Sequence, residues 1–388
     1  MQNFTYSIPT KIFFGKDQVN VLAEQIREFG GSRVLLVYGG GSIKRIGLYD
    51  TVTKILQSNN IPFFELAGID PNPRIETVRQ GIQLCHEHKL DFILAVGGGS
   101  SIDCSKVISA GYYYENDPWD LMIGKVKASQ GLPLGTILTL AATGSEMDFF
   151  AVISNLETHQ KIGLGDPVMF PKFSILDPTY TYSVPHNQTA AGTADIMSHT
   201  FENYFSSEKG AYLQSRLAEG ILQTCIKYAP IAMRDPENYE ARANLMWASS
   251  LAINGLLSLG KERKWTCHPM EHELSAYYDI THGVGLAILT PHWMEYVLDD
   301  STAADFKDYG VNVWRLNSED DSYKTAHLAI EKTKEFFTSL GLPSKLHEVG
   351  IGEENLLVMA QAVTKNGPIG EFRHLNTEDV YNIYKAAL

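Results

Sequence analysis

The stretch FILAVGGGSSIDCSK, residues 92–106, decides how the first half of the chain is interpreted. Its first five residues are apolar and mostly aliphatic, which is typical of a strand buried inside a parallel sheet. Three glycines follow at 97–99, and a segment with helical character begins at residue 100. A strand, a glycine-rich turn and a helix in that order form the repeating unit of an α/β sheet.

The same order recurs on both sides of this stretch. RVLLVY (33–38) and GTILTL (135–140) are also predicted to be buried parallel strands. We therefore predict a doubly wound, mainly parallel α/β domain that binds a dinucleotide, over residues 1–185. Ligands of such sheets bind beyond the carboxyl ends of the strands. The amphipathic segments between the strands are predicted helices: 17–29, 48–59, 75–88 and 100–112.

After about residue 190 the hydrophobic pattern takes a helical period. YLQSRLAEGILQTCIKYA (212–229) places apolar side chains on one helical face, and AHLAIEKTKEFFTSLGLP (326–343) does the same before a Gly-x-Pro stop. We predict an all-helical second domain over residues 186–388, with a cleft between the two domains. The apolar faces consist of these residues: Leu213, Leu217, Ile221 and Cys225 in the first segment, and Ala326, Ile330, Thr333, Phe337 and Leu340 in the second.

Composition excludes several classes of partner. The net charge of −13 argues against nucleic acid or an anionic membrane, although a local pocket lined by amides could hold an anionic cofactor. The four cysteines form no CxxC pair, which indicates reduced thiols in a cytoplasmic protein. No signal peptide is evident at the N-terminus. The uncharged segment 243–260 contains five Ser or Asn residues and is predicted to be a buried helix and not a membrane span.

Three turns after predicted strands are candidates for phosphate contact. Glycines let the backbone approach a phosphate, and the following helix presents free N–H groups to it. VYGGGSIKR (37–45) and AVGGGSSIDCSK (95–106) are neither GxGxxG nor Walker loops, but two such turns together indicate a dinucleotide. The third turn, TLAATGSEMD (139–148), adds hydroxyl groups, although by itself it could be an ordinary Ser/Thr turn.

The first of these turns predicts which dinucleotide is bound. NAD-selective enzymes usually carry an Asp or Glu at the end of an early strand, where it would repel the 2′-phosphate of NADP. Here the strand ends at Gly39 and Gly40, with no carboxylate between Arg33 and Tyr49. Ser42 and Lys44 follow, with Arg45 next to them, and a hydroxyl and cations suit a phosphate. The turn therefore favours NADP(H), unless these cations are merely solvated surface charges.

A cluster of histidines and one aspartate predicts a metal site in the second half. Asp195 and His199 are four residues apart, which places them on one face of a helix, and His268 and His272 have the same spacing. His282 follows a predicted turn. One carboxylate with several imidazoles suits Fe²⁺ or Zn²⁺ better than Ca²⁺ or Mg²⁺. The spacing alone leaves a proton relay, a helix cap or an ordinary polar face as alternatives.

Taken together, the motifs resemble those of the iron-containing, group III metal-dependent alcohol dehydrogenases, in particular the NADPH-dependent butanol dehydrogenase and aldehyde reductase branch. The resemblance spans the whole chain. It rests on these segments in this order: IFFGKD, YGGGSIK, PNPRIETV, VGGGSSIDCSK, TLAATGSE, GTADIMSHTFENYF and CHPMEHELSAYYDITHGVG. The resemblance implies a nucleotide-binding domain followed by an all-α metal-binding domain, the architecture shared with dehydroquinate synthase.

Residue roles also follow from this resemblance. It implies one divalent metal held by four ligands: Asp195, His199, His268 and His282. It implies two catalytic groups, His272 as a proton relay and Asp103 as a carboxylate near the nicotinamide. It implies further cofactor contacts by Gly97, Gly98, Gly99, Ser100, Ser101, Thr139, Thr143, Ser145 and Lys161. Departures from the commoner family letters, at Leu140, Ala142, Ile196 and Met197, remove no ligand but affect the shape of the substrate pocket.

The implied reaction transfers hydride between NADP(H) and a small primary alcohol or aldehyde, in a homodimer. A metal with one carboxylate ligand keeps positive charge and can lower the pKa of an alcohol hydroxyl. A lyase of the dehydroquinate synthase kind is a rival, but it binds a phosphorylated acid, and residues 190–206 and 265–292 contain no Lys or Arg. A non-catalytic metal- or nucleotide-binding protein is a second rival, and it would give no change in absorbance at 340 nm.

Overall fold

The computed structural model describes residues 1–262 and 264–388. Its contacts divide the chain into two compact units. The sheet unit contains Ser7–Val184 and Pro236–Ser250, and the helical unit contains Met1–Tyr6, Pro185–Asp235 and Leu251–Leu388. Apart from Pro185, which belongs to the helical unit, these units differ from the predicted domains at two segments, 1–6 and 236–250.

Packing explains both differences. Met246, within the second segment, lies in the hydrophobic core of the sheet unit, so this part of the chain returns to the sheet after the helical unit has begun. At the N-terminus, the Met1 ammonium pairs with Glu208 at 2.9 Å, and the Gln2 N–H donates to the Gly260 carbonyl at 2.9 Å. Hydrophobic periodicity does not reveal contacts of this kind between distant segments.

The sheet unit contains eight strands: β1 (Lys11–Phe14), β2 (Val34–Tyr38), β3 (Phe63–Ala67), β4 (Phe92–Gly97), β5 (Leu134–Leu138), β6 (Phe150–Asn155), β7 (Gln160–Gly165) and β8 (Phe173–Leu176). Six of them form a parallel sheet in the order β1-β8-β5-β4-β2-β3, which confirms the predicted fold class. A separate antiparallel hairpin, β6–β7, was not predicted.

The central strands are buried on both faces, which explains why their sequences are continuously apolar and not alternating. Alternate side chains of β2 and β4 enter two different cores. Leu35 and Ile93 pack on one face, whereas Leu36 and Leu94 pack on the other. The helices of this unit are α1 (Leu22–Glu28), α2 (Ser42–Arg45), α3 (Leu48–Ser58), α4 (Ile75–His88), α5 (Gly99–Gly111) and α6 (Trp119–Met122).

The predicted helix at 17–29 is shorter than expected, because its first part is a 3₁₀ turn, Gln18–Val21, that begins after Asp17 in the left-handed conformation. The remaining helices of the chain are α7 (His186–Tyr204), α8 (Tyr212–Arg234), α9 (Tyr239–Ile253), α10 (Cys267–Tyr278), α11 (His282–Val297), α12 (Ala303–Trp314), α13 (Ser322–Ser339), α14 (Leu356–Val363) and α15 (Thr377–Ala386). Within the described residues, no helix has the length and apolar character needed to span a membrane.

The helical unit buries α7 and α11 most deeply, with α7 packed on α8 and α11. The predicted apolar face of α13 is buried along its length. The predicted face of α8 is buried only in its later part: Ile221 and Cys225 are buried, but Leu213 is 62% exposed and Leu217 is 36% exposed. Periodicity gave the correct helix, but it did not show where the neighbouring helices stop covering it.

Candidate metal centre and cofactor-binding turns

The predicted cofactor residues of the sheet unit lie mostly at one edge of the sheet. β2, β4 and β5 are neighbours and run in the same direction, so the turns that follow them lie side by side. The Thr139 N–H donates to the Gly97 carbonyl at 3.0 Å, which fixes the third turn against the second. The predicted cofactor residues at this edge are Gly39, Gly40, Ser42, Lys44, Gly97, Gly98, Gly99, Ser100, Ser101, Thr139, Thr143 and Ser145.

The turn after β4 needs its glycines for close packing. A side chain at Gly99 would lie 2.5 Å from the Thr143 hydroxyl oxygen, and one at Gly97 would lie 2.6 Å from the Ser101 hydroxyl oxygen. Gly99 is also the first residue of α5, a helix of 13 residues. The first N–H groups of a helix have no partner within it, so this end of α5 can receive a phosphate.

A buried hydrogen-bond network holds the third turn against α5. Asp103 accepts from the Ser145 hydroxyl at 2.6 Å and from the Val152 N–H at 2.9 Å. Lys106, which sequence analysis did not select, donates to Ser145 at 2.8 Å and to Asp148 at 2.5 Å. Burial raises the pKa of Asp103 to about 6, with Lys106 opposing the shift. Both Asp103 and Ser145 therefore have a structural role in this network.

The turn after β2 has a neighbour that sequence analysis missed. Glu65, on the adjacent strand β3, accepts hydrogen bonds from the hydroxyl groups of Tyr38 and Tyr49, the latter at 2.7 Å. The Lys44 ammonium lies 4.6 Å from the centre of the Tyr49 ring. A carboxylate thus lies near the turn, although none occurs between residues 33 and 49 of the sequence. Lys161 lies apart from these turns along the chain, buried on β7.

The four predicted metal ligands converge in the helical unit. α7 carries Asp195 and His199 one turn apart, α10 carries His268, and α11 begins at His282. One oxygen of Asp195, Oδ1, lies at nearly equal distances from one nitrogen of each histidine. These distances are 3.6 Å to His199 Nδ1, 3.7 Å to His268 Nε2 and 3.6 Å to His282 Nε2.

These separations suit atoms that share an ion. They are longer than ordinary N–H···O hydrogen bonds, which are 2.7–3.2 Å. Two ligands bound at about 2.1 Å in tetrahedral geometry would lie roughly 3.4 Å apart. Asp195 Oδ1 and His268 Nε2 are also buried without a hydrogen-bond partner among the described residues. Buried polar atoms are normally paired, so this donor set fits a divalent cation.

The charges of the site also favour a bound divalent cation. Burial alone would raise the pKa of Asp195, but the three surrounding imidazoles outweigh it and hold that pKa below its ordinary value. Burial alone would lower the pKa of His268, but the negative charges of Asp195 and Glu202 beside it raise the pKa to about 9. The site therefore favours an ionised carboxylate and positive charge beside it, and a bound cation would supply that positive charge.

His272 lies beside the predicted ligands on α10. Its ring centre is 5.6 Å from that of His282. Its ligand atom lies within 4.8 Å of those of Glu271 and His282, whereas Asp195 groups with His268 and His282. His282 is also more exposed than Asp195, His199 and His268, with a side-chain exposure of 22%. His272 thus lies next to the more accessible side of the cluster.

Three residues at this centre were missed by sequence analysis. Trp265 packs its ring 4.7 Å from that of His268 and 5.6 Å from that of His199. Glu202 and Glu271 are buried carboxylates that contact His268 and His282, respectively. Their only sequence signal is proximity to a predicted ligand: Glu202 lies three residues after His199, and Glu271 three residues after His268.

Two protein-family models match most of the chain. A family model described as iron-containing alcohol dehydrogenase matches residues 9–178, and one described as Fe-containing alcohol dehydrogenase family, C-terminal, matches residues 189–388. The chain is 63% identical over 387 residues to NADH-dependent butanol dehydrogenase A of Clostridium acetobutylicum, and the match covers 99% of both chains.

Two further relatives extend the comparison. NADPH-dependent aldehyde reductase YqhD of Escherichia coli is 39% identical over 393 residues, and the match covers 100% of both chains. The crystal structure of NADH-dependent butanol dehydrogenase A from Thermotoga maritima is similar with a TM-score of 0.96 at 37% identity, covering 100% of this chain and 99% of that one. From these full-length matches and the two family models, the chain belongs to the iron-containing alcohol dehydrogenase family.

Proposed function

We propose that this protein is a metal-dependent alcohol dehydrogenase and aldehyde reductase that acts on small primary alcohols and aldehydes. The observation that carries the proposal is the convergence of three imidazoles on one buried carboxylate oxygen of Asp195. The names of the relatives, butanol dehydrogenase and aldehyde reductase, support the substrate class. The proposal includes a homodimer, as the family resemblance implies.

The site would divide the chemistry between the metal and the chain. A divalent metal, iron or zinc, supplies positive charge that lowers the pKa of an alcohol hydroxyl and polarises an aldehyde carbonyl. Asp195, His199, His268 and His282 would hold that metal. The glycine-rich turns of the sheet unit would hold the nicotinamide cofactor, which would supply the hydride acceptor or donor. The chain must still move the hydroxyl proton between the substrate and solvent, and His272 lies beside the more exposed ligand, His282.

The proposal is tested by following NADPH and NADH at 340 nm with a series of linear aldehydes and alcohols. The protein is purified without oxygen, and its iron and zinc contents are measured on the same sample. We expect oxidation of the reduced cofactor with short aldehydes such as butyraldehyde, and its loss after the metal is chelated. A metal-loaded protein that turns over none of these substrates would contradict the proposal.

Replacing His272 tests its role in proton transfer. We expect His272→Ala to retain its metal but to lower kcat, because general acid–base groups typically contribute about 10²–10⁴-fold. The dependence of kcat on pH should change, since histidine is the side chain whose ordinary pKa, about 6.5, lies closest to neutrality. Added imidazole should restore part of the rate. Unchanged rates from acid to alkaline pH would leave His272 with a packing role only.

The finer proposal for the cofactor is NADP(H). Lys44 and Ser42 offer a cation and a hydroxyl after β2, and the nearby carboxylate of Glu65 already accepts two tyrosine hydrogen bonds. The aldehyde reductase of Escherichia coli, named NADPH-dependent, supports this choice, whereas the relative from Clostridium acetobutylicum, named NADH-dependent, supports the other. We propose NADP(H) because Lys44 and Ser42 offer a cation and a hydroxyl that suit a phosphate.

Gly39 gives this cofactor proposal a direct test. A charge-assisted contact contributes about 1.5–3 kcal/mol, so kcat/KM should be roughly ten to a hundred times larger with NADPH than with NADH. Gly39→Asp should reduce or reverse that ratio, because it adds a carboxylate to the turn that would receive the 2′-phosphate. Gly39→Ala is the matched control, since both variants place a Cβ 3.3 Å from the Ile69 carbonyl oxygen. Equal effects of the two substitutions would show that the turn does not select the cofactor by charge.

A further inference from the structure

Two buried glutamates contact the histidines of the proposed metal centre on the side away from Asp195. Glu202 Oε1 lies 3.1 Å from Nδ1 of His268, and Glu271 Oε2 contacts Nδ1 of His282. In both histidines the other ring nitrogen, Nε2, faces Asp195. Glu202 of α7 and Glu271 of α10 thus each contact the Nδ1 atom of a histidine whose Nε2 faces Asp195.

This arrangement determines which ring nitrogen is free to bind a metal. An ionised carboxylate only accepts hydrogen bonds, so each Nδ1 must carry the hydrogen. In the neutral imidazole, which is the form that binds a metal, the lone pair then resides on Nε2, the nitrogen that faces Asp195 in both histidines. A carboxylate that accepts from the outer nitrogen of a histidine also orients its ring and makes it a stronger metal ligand.

Further hydrogen bonds fix the positions of both carboxylates. Glu202 accepts from the Thr266 N–H at 2.7 Å and from the His268 N–H at 3.0 Å, so a side chain of α7 holds the start of α10. Glu271 accepts from the Ser275 hydroxyl one turn further along α10. A side chain at position 285 would lie 2.7 Å from Cγ of Glu271, so Gly285 leaves the space that this glutamate occupies.

Because these two glutamate side chains are buried, their negative charges need a positive charge nearby. The side chains of Glu202 and Glu271 are 5% and 0% exposed, and that of Asp195 is 3% exposed. Burying a charge is costly unless it is paired and hydrogen-bonded. Three carboxylates around neutral imidazoles carry more negative charge than a single divalent cation neutralises, which favours tight retention of that cation.

We propose that Glu202 and Glu271 are positioning residues that keep His268 and His282 as Nε2 donors and thereby set how tightly the metal is held. This inference rests on the proposed function, because it takes the same histidines as ligands. It adds two residues whose removal should weaken metal binding although neither touches the metal.

The test measures metal affinity without using turnover. Wild-type protein, Glu202→Gln and Glu271→Gln are prepared without oxygen, and the dissociation constant for Zn²⁺ is measured by competition with a chelator. Glutamine keeps the shape and an acceptor oxygen but removes the charge. We expect each substitution to weaken binding about 10- to 100-fold, the usual effect of losing such a partner.

Glu273→Gln is the matched control. Glu273 lies on the same helix, two residues beyond Glu271, and its charge partner is Lys365 and not a ligand histidine. Its substitution should leave the dissociation constant unchanged. Ser275→Ala provides a second route if Glu271→Gln fails to fold, because it removes only the hydroxyl that donates to Glu271, and it should weaken binding by a smaller factor in the same direction.

The outcomes separate the inference from the proposed function. Weaker binding in both glutamine variants, with wild-type affinity in Glu273→Gln, supports the inference. Wild-type affinity in both variants, even with a lower melting temperature, would give these glutamates a merely structural role and overturn it. Two metal ions per chain, with one lost in Glu271→Gln, would make Glu271 a ligand and also overturn it. Absence of metal binding in the wild-type protein would refute the proposed function itself.

Discussion

Substitution of His268 by alanine should remove both the metal and the activity. His268 is 3% exposed, and its Nε2 faces Asp195 without a hydrogen-bond partner among the described residues. A metal typically contributes several kcal/mol to such a reaction, so the loss of kcat/KM should be on the order of 10³-fold. Elemental analysis and steady-state kinetics on the same preparation measure the two effects together.

Controls separate loss of the metal from loss of the fold. His282→Ala should also remove both the metal and the activity. The His282 side chain is more exposed than that of His268, so this substitution should disturb the packing less. His327→Ala removes a surface histidine, 58% exposed and paired with Glu295, and should leave metal and activity unchanged. A folded His268→Ala protein with full metal occupancy and full activity would refute the ligand assignment.

Gly283→Ala should disturb the proposed metal centre by displacing the backbone of one of its helices. Gly283 follows His282 on α11, where this helix packs on α7 near Ala191, four residues before Asp195. An added Cβ would overlap the carbonyl oxygen of Ala191 and lie 2.6 Å from its carbonyl carbon. These are backbone atoms, so one helix must move. Asp195 lies on α7 and His282 on α11, so moving one helix away from the other would also separate these two side chains. The metal affinity should therefore fall together with the stability of the fold.

The expected loss of stability is about 1–3 kcal/mol or more, the usual cost of overpacking. Differential scanning calorimetry and chelator competition measure stability and metal affinity. Gly220→Ala is the control, since Gly220 lies within α8 with no atom near the position of an added Cβ. In a helix interior this change should stabilise by about 0.5–1 kcal/mol. A Gly283→Ala protein with normal melting and normal metal affinity would mean that the two helices are not held at this contact.

Sequence predicted the features of the fold that depend on local pattern. The continuous apolar runs that became β2, β4 and β5 indicated a parallel sheet, because only strands covered on both faces are apolar throughout. The helical spacing of Asp195 and His199 placed two candidate ligands on one face, and the turn before His282 corresponds to the start of α11. The predicted family is confirmed by both family models.

The remaining features depend on contacts between distant segments. Glu202 meets His268 across 66 residues of chain, and no spacing rule connects them. Glu65 approaches the turn after β2 from a neighbouring strand, so a search confined to residues 33–49 did not find it. Sequence analysis selected Asp103 by its motif position, but its hydrogen bonds to Ser145 and Val152 form only when the third turn folds against α5.

The central claim, that Asp195, His199, His268 and His282 hold one divalent metal, is tested most directly by anomalous X-ray diffraction. Crystals of protein prepared without oxygen are measured just above the iron and the zinc absorption edges, which also identifies the metal. We predict a single anomalous peak within about 2.0–2.3 Å of one atom from each of the four side chains. A fully active crystal with no peak there, or with its peak between Glu271 and His272, would contradict the claim.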